Sequence, residues 1–168
     1  MTAKYPVTST RVPMYDGINA ATLPEGTIKA AGYVNGREDW QSCEPIRQRF
    51  PQARVRGIDV IGDAWLLASI GDRENGDISD EATLRNFIIQ RNGFRPQTAC
   101  IYVQKSNLDE TEDWAQGLWH VLWVANWGPD GTAGQSLTGT RTPAGNLIVA
   151  TQLQNTPGWD MSDTLESW

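Results

Sequence analysis

A chain of 168 residues, 39% hydrophobic and 20% charged, has material for one domain with a real core and too little for two. Its net charge of −6 argues against a nucleic-acid partner, which demands a basic face, and no apolar run approaches the ~20 residues of a membrane span. Residues 1–10 read as an N-terminal extension without the apolar centre of a signal peptide, so synthesis in the cytoplasm is expected.

Short β-rich runs recur along the whole length. The first, 12–15, leads into Asp16-Gly17, and the second, 28–34, contains Tyr33. A short helix is predicted from Pro45, a good first-turn residue, with Ile46 and Phe50 inward and Pro51 as its stop. Strand-like runs follow at 55–61 and 65–70, and Asp59 and Asp63 around Gly62 read as loop acids. The clearest helix spans 80–92. Ser79 can cap it, Asp80 and Glu81 fill its first turn, Leu84, Phe87 and Ile88 form its buried stripe, and Gly93 ends it. A strand at 99–103 precedes Gln104, Lys105 and Asn107, then a helix at 108–116 around Trp114, then a strand at 120–125. The Gly-, Ser-, Thr- and Pro-rich stretch 128–146 reads as one long loop before a strand at 147–152 and a terminal segment around Trp159-Asp160.

Several of these runs are continuously apolar, which suits parallel strands covered on both faces. Strand and helix alternation indicates an α/β fold. Seven runs plus a terminal segment fit a compact (β/α) TIM-like barrel, a single domain over 1–168. Such barrels ordinarily take about 200–250 residues, so several helices must be reduced. A doubly wound open sheet is the competing architecture, and the Gly-x-Gly-x-x-Gly loop that often accompanies it is missing.

The two cysteines, Cys43 and Cys100, form no disulfide framework. The single histidine, His120, begins an apolar run and reads as structural. With no Cys-x-x-Cys pair there is no zinc ligand set, and no metal or cofactor is expected. No Gly-x-Ser-x-Gly elbow accompanies any serine.

The acids carry more information. Asp72 and Glu74 stand two residues apart where a strand ends, so they share one face. One carboxylate raises the pKa of such a neighbour and keeps it protonated, the arrangement used in glycoside hydrolysis. Asp16 and Asp160 also stand where strands end. In a parallel barrel the C-terminal strand ends meet at one mouth, which would gather all four.

Taken in order, these segments resemble the family-25 glycoside hydrolases, and more closely the small glycoside hydrolase-like barrel domains of actinobacteria and their phages. Met14-Tyr15-Asp16-Gly17 is similar to the opening strand and first acid of the family, and Ala31-Gly32-Tyr33-Val34 to its second strand. Asp72-Arg73-Glu74 resembles its Asp-x-Glu signature, and Leu122-Trp123-Val124-Ala125-Asn126-Trp127 its sixth strand. Gln152-Leu153 and Trp159-Asp160-Met161-Ser162 resemble its closing segments. Arg73 departs from the apolar residue usual there, and Leu153 from the usual Tyr.

The resemblance implies a muramidase-type hydrolase of peptidoglycan, with bacterial cell-wall glycan as its partner. Glu74 would be the general acid, and Asp72 would stabilise oxocarbenium-like charge or orient the N-acetyl group. Asp16 and Asp160 would hold water or substrate. Trp123, Trp127 and Trp159 would offer sugar-stacking faces, with Tyr33, Tyr102, Asn126 and Gln152 as further substrate-binding residues. The alternative is a non-catalytic virion protein on the same barrel, binding glycan, other virion proteins or copies of itself.

Overall fold

The structure, a computed structural model, describes residues 10–37, 40–74, 77–128 and 133–168. Most of the N-terminal extension, Asn75-Gly76 of the carboxylate stretch and residues 129–132 of the long loop lie outside them. Eight strands close a barrel: β1 (Arg11–Asp16), β2 (Lys29–Tyr33), β3 (Arg54–Asp59), β4 (Ile70–Arg73), β5 (Cys100–Gln104), β6 (Val121–Ala125), β7 (Ile148–Thr156) and β8 (Trp159–Leu165). Each neighbours the next in sequence, and β8 returns to β1.

The barrel is not wholly parallel. From β1 to β7 successive strands pair parallel, but β8 runs antiparallel to both β7 and β1. The reason is the length of the connection. Only Pro157-Gly158 separates β7 from β8, whereas a parallel crossover takes a dozen or more residues. Gly158 sits at φ 99°, a left-handed conformation that suits glycine in so tight a reversal.

The helical layer is thin. Helix α1 (Cys43–Arg49) follows β2, α2 (Glu81–Phe94) follows β4 and α3 (Leu108–Trp114) follows β5. Among the described residues the other connections carry at most a short 3-10 turn, so the α/β barrel has few helices. Among the described residues no helix is long and apolar enough to cross a membrane.

Two expectations shift on the fourth strand and the helix after it. The apolar run 65–70 is not a strand: Leu66 and Leu67 are 53% and 67% exposed in a turn, and β4 begins only at Ile70. Asp59 is the cause. It is no exposed loop acid but a buried one, accepting the backbone N–H groups of Ile61, Gly62 and Ala64 at 3.0, 2.7 and 2.7 Å and the Asn35 amide at 2.7 Å. Those bonds wind the chain into a loop. Helix α2 is capped by Asp80, not Ser79, through a 2.9 Å bond from the Thr83 N–H, and it runs through Gly93 to Phe94 before Pro96 blocks continuation.

The core has two layers. Met14, Ile58, Ile70, Cys100, Val121, Trp123 and Trp168 fill the lumen. Outside, Leu84, Phe87 and Ile88 of α2 cover Ile101, Val103, Leu122 and Val124. Gly71 makes that contact close, since a Cβ there would lie 2.9 Å from the Phe87 ring. Cys43 and Cys100 are buried free thiols, and His120 is buried with Nδ1 2.9 Å from the Leu118 carbonyl.

Candidate active site

Asp16 is the last residue of β1, and Asp160 lies directly opposite it on β8. Directly opposed residues of an antiparallel pair share a face, so both carboxyl groups turn to the same side. Asp72 lies within β4 and Glu74 just beyond it. Asp77 joins them, and the carboxylate oxygens of Asp72, Glu74 and Asp77 all lie within 4.8 Å of one another. The Glu74 backbone N–H donates to Asp72 Oδ1 at 3.1 Å, which fixes the bend that brings the pair together.

The neighbouring strands complete the pit. Gln104 at the end of β5 donates its Nε2–H to Glu74 Oε1 at 3.4 Å. Two residues earlier, and so on the same face, the Tyr102 hydroxyl donates to Gln152 Oε1. The Gln152 amide in turn donates to Asp160. Beneath this chain the Trp123 indole N–H donates to Ser162 Oγ at 2.8 Å, with its ring 4.7 Å from that of Tyr102. Ser42 ties β1 to β2: it accepts from the Tyr33 N–H at 3.1 Å and donates to the Gly17 carbonyl at 2.6 Å.

Burial dominates the electrostatics. It pushes Asp16 well above the ordinary carboxylate range, helped by the charges of Asp160 and Glu74. It does the same to Asp72, helped by Glu74 and Asp77 and opposed by the Glu74 N–H. Asp160 is raised to about 6 by burial, with the Thr156 N–H and the Gln152 amide working against that rise. Asp77 is raised too, by burial and then by Glu74. Tyr33 and Tyr102 are held protonated, chiefly by burial and then by the surrounding acids. Burial and like charge thus favour the protonated forms of Asp16, Asp72, Asp77 and Asp160.

Arg73 takes no part in it. Its side chain leaves on the opposite face of β4, where a nitrogen lies 2.8 Å from Glu110 Oε2 and the guanidinium stacks 4.3 Å from the Trp114 ring. Strand alternation sends the cation into the helix layer, so it neutralises neither Asp72 nor Glu74.

Beside Glu74 a cavity of about 450 Å³ opens between the ends of β5 and β6, lined by Gln104, Lys105, Ser106, Ala125, Asn126 and Trp127. Trp127 is 39% exposed, and Asn126 is fixed by a 2.7 Å bond to the Gln135 carbonyl. The structure thus gathers Asp16, Asp72, Glu74 and Asp160 with Tyr33, Tyr102 and Gln152, and sets Asn126 and Trp127 at the adjoining cavity. Two expected stacking residues lie elsewhere. Trp123 is buried in the lumen with no open face, and Trp159 packs edge-on to Tyr15, 5.2 Å away, in the cluster outside the barrel. Asp77, three residues after Glu74 in the same acidic stretch, is not among the site residues expected from the sequence.

Fold and site together define an eight-stranded α/β barrel with a carboxylate-lined mouth. The structure of muramidase from Acremonium alcalophilum matches 92% of this chain over 93% of its own length, with a TM-score of 0.56 and 10% sequence identity. At that identity the likeness is one of fold. No protein-family model matches the sequence, and no curated protein matches it.

Proposed function

We propose that this protein hydrolyses the glycan of bacterial peptidoglycan by muramidase-type chemistry. The observation that carries the reading is the gathering of four carboxyl groups, two of them buried with their protonated forms favoured, near an open cavity with an exposed indole. Glu74 is half-buried, next to the buried Asp72 and bonded to Gln104 of the cavity wall, which is where this reading puts the glycosidic oxygen. It serves as the general acid that protonates that oxygen.

Asp72, whose protonated form burial favours, can hydrogen-bond the N-acetyl group. A cationic oxocarbenium-like state beside it favours its ionised form, so stabilisation grows where charge develops. Asp160, raised to about 6 chiefly by burial, can hold the substrate or the attacking water, which Glu74, once it has given up its proton, deprotonates. Asp16 Oδ1 is buried without a hydrogen-bond partner among the described residues. Trp127 supplies the stacking face.

The test is release of reducing ends from purified peptidoglycan by wild type and Glu74→Gln. Wild type should release them, and the variant should lose about 100-fold or more. Binding of the glycan with no release by wild type would contradict the hydrolase and leave a glycan-binding barrel.

A further inference from the structure

A second cavity, of about 320 Å³, lies at the other end of the barrel, against the N-terminal halves of β3 and β4. Four arginines line it: Arg47 near the end of α1, Arg56 on β3, Arg91 near the end of α2 and Arg95 just beyond. No carboxylate is among its described lining residues, although the chain as a whole carries −6. Four cations thus line one cavity of an acidic chain.

Two of the guanidinium groups are held in place. Arg56 stacks 4.3 Å from the Trp168 ring and reaches Ser69 Oγ at 3.5 Å. Arg91 is buried and donates to Thr98 Oγ1 at 3.1 Å and to the Trp65 carbonyl at 3.0 Å. Arg47 and Arg95 are exposed at the rim, and the contact of Arg47 with Glu44 is a loose 3.7 Å pair on its own helix. Helix C-termini favour cations, which accounts for Arg47 and Arg91. It bears on Arg95 too, the C-cap of α2, but not on Arg56, on a strand. Cations brought together in one cavity repel one another, and an anion placed among them relieves that cost. Guanidinium groups present planar forks of N–H donors that match the oxygens of a phosphoryl group.

We propose that this pocket binds the phosphoryl group of a small phosphorylated ligand, and that its volume suits a diphosphate or a phosphate monoester with a small alcohol. Fixed arginines on the floor set the geometry without ordering cost at binding, and the two exposed arginines close over the anion. The site is separate from the carboxylate mouth and does not depend on hydrolysis there.

Titration calorimetry and amide chemical-shift mapping with inorganic pyrophosphate test this, with inorganic phosphate, glycerol 3-phosphate and sulfate as comparison arms. Pyrophosphate should bind in the millimolar range or tighter, more tightly than sulfate, and should shift the amides of Gly57 and Ser69. Preference for glycerol 3-phosphate over inorganic phosphate would identify the source as a phosphate ester, and the reverse a free phosphate. Arg47→Gln/Arg95→Gln, two exposed positions whose change should leave the melting temperature in place, should weaken binding about tenfold or more, while Glu74→Gln binds as wild type. No binding at millimolar pyrophosphate, or equal binding by wild type and the double variant, would overturn the proposal.

Discussion

Asp16 and Asp160 stand directly opposite each other across the antiparallel ladder of β1 and β8. The short Pro157-Gly158 reversal creates that pairing, because it turns the last strand back so that an acid near its start meets the acid at the end of the first. Burial and mutual repulsion then act on one small region, and Asp16 is raised most by burial and next by Asp160.

A carboxyl group raised in the folded state binds its proton more tightly there than in the unfolded chain. Its stabilising contribution is complete below its ordinary value of 3.8 and is lost as pH rises toward the folded value. Asp72 acts with the same sign, and His120, lowered by burial, acts oppositely as pH falls below 6.5. Asp16→Asn removes one term. The variant should melt above wild type at about pH 8, with the gap closing toward about pH 4. Thermal melts across that range check it, and parallel curves would contradict it.

Arg73 and Glu110 behave as an ion pair outside the site, with Arg73 almost wholly buried and Glu110 half-exposed. Glu110→Ala leaves a buried cation without its anion and should cost about 1–3 kcal/mol. Arg73→Met keeps the volume over Trp114 without the charge and should stay within about 1 kcal/mol of wild type. Denaturant unfolding measures both. Arg73→Met should leave glycan release unchanged, and a large loss would place the arginine in the chemistry.

Asp72 and Glu74 bring carboxylate oxygens within 4.8 Å of each other. Carboxyl pairs about 5–5.5 Å apart go with retention of anomeric configuration, and those about 6.5–9.5 Å apart with inversion. Retention is expected here, read by proton NMR of the first products before mutarotation. Inverted products would contradict the role given to the pair.

Trp127 is the exposed indole at the cavity beside Glu74. Stacking of this kind is worth about 0.5–1.5 kcal/mol, so Trp127→Ala should raise KM about two- to tenfold with kcat little changed. Steady-state kinetics on soluble glycan fragments separate the two constants. A fall in kcat alone would assign Trp127 a different part.

Much of the barrel was legible from continuous apolar runs. β2, β5 and β6 are buried on both faces, and their sequences say so. Trp65-Leu66-Leu67 misled for the same reason: apolar continuity does not separate a strand from a loop pulled outward by a buried aspartate. The direction of β8 was not legible from periodicity, because its first residues, Trp159, Asp160 and Met161, are half-buried and show no continuous apolar run. Asp16, Asp72 and Glu74 could be read from strand ends. The inward neighbours Tyr102, Gln152 and Gln104 are joined by bonds across strands that no local pattern records. Trp159 shows a parity that the sequence does contain: if Asp160 turns inward, the residue before it must turn out.

The central claim is that the carboxylate mouth cuts glycan. Mass spectrometry of the soluble fragments released from peptidoglycan by wild type and Glu74→Gln, run side by side, tests it most directly. The account predicts fragments ending in reducing N-acetylmuramic acid from wild type and almost none from the variant. No fragments from wild type, or equal yields from both, would contradict it.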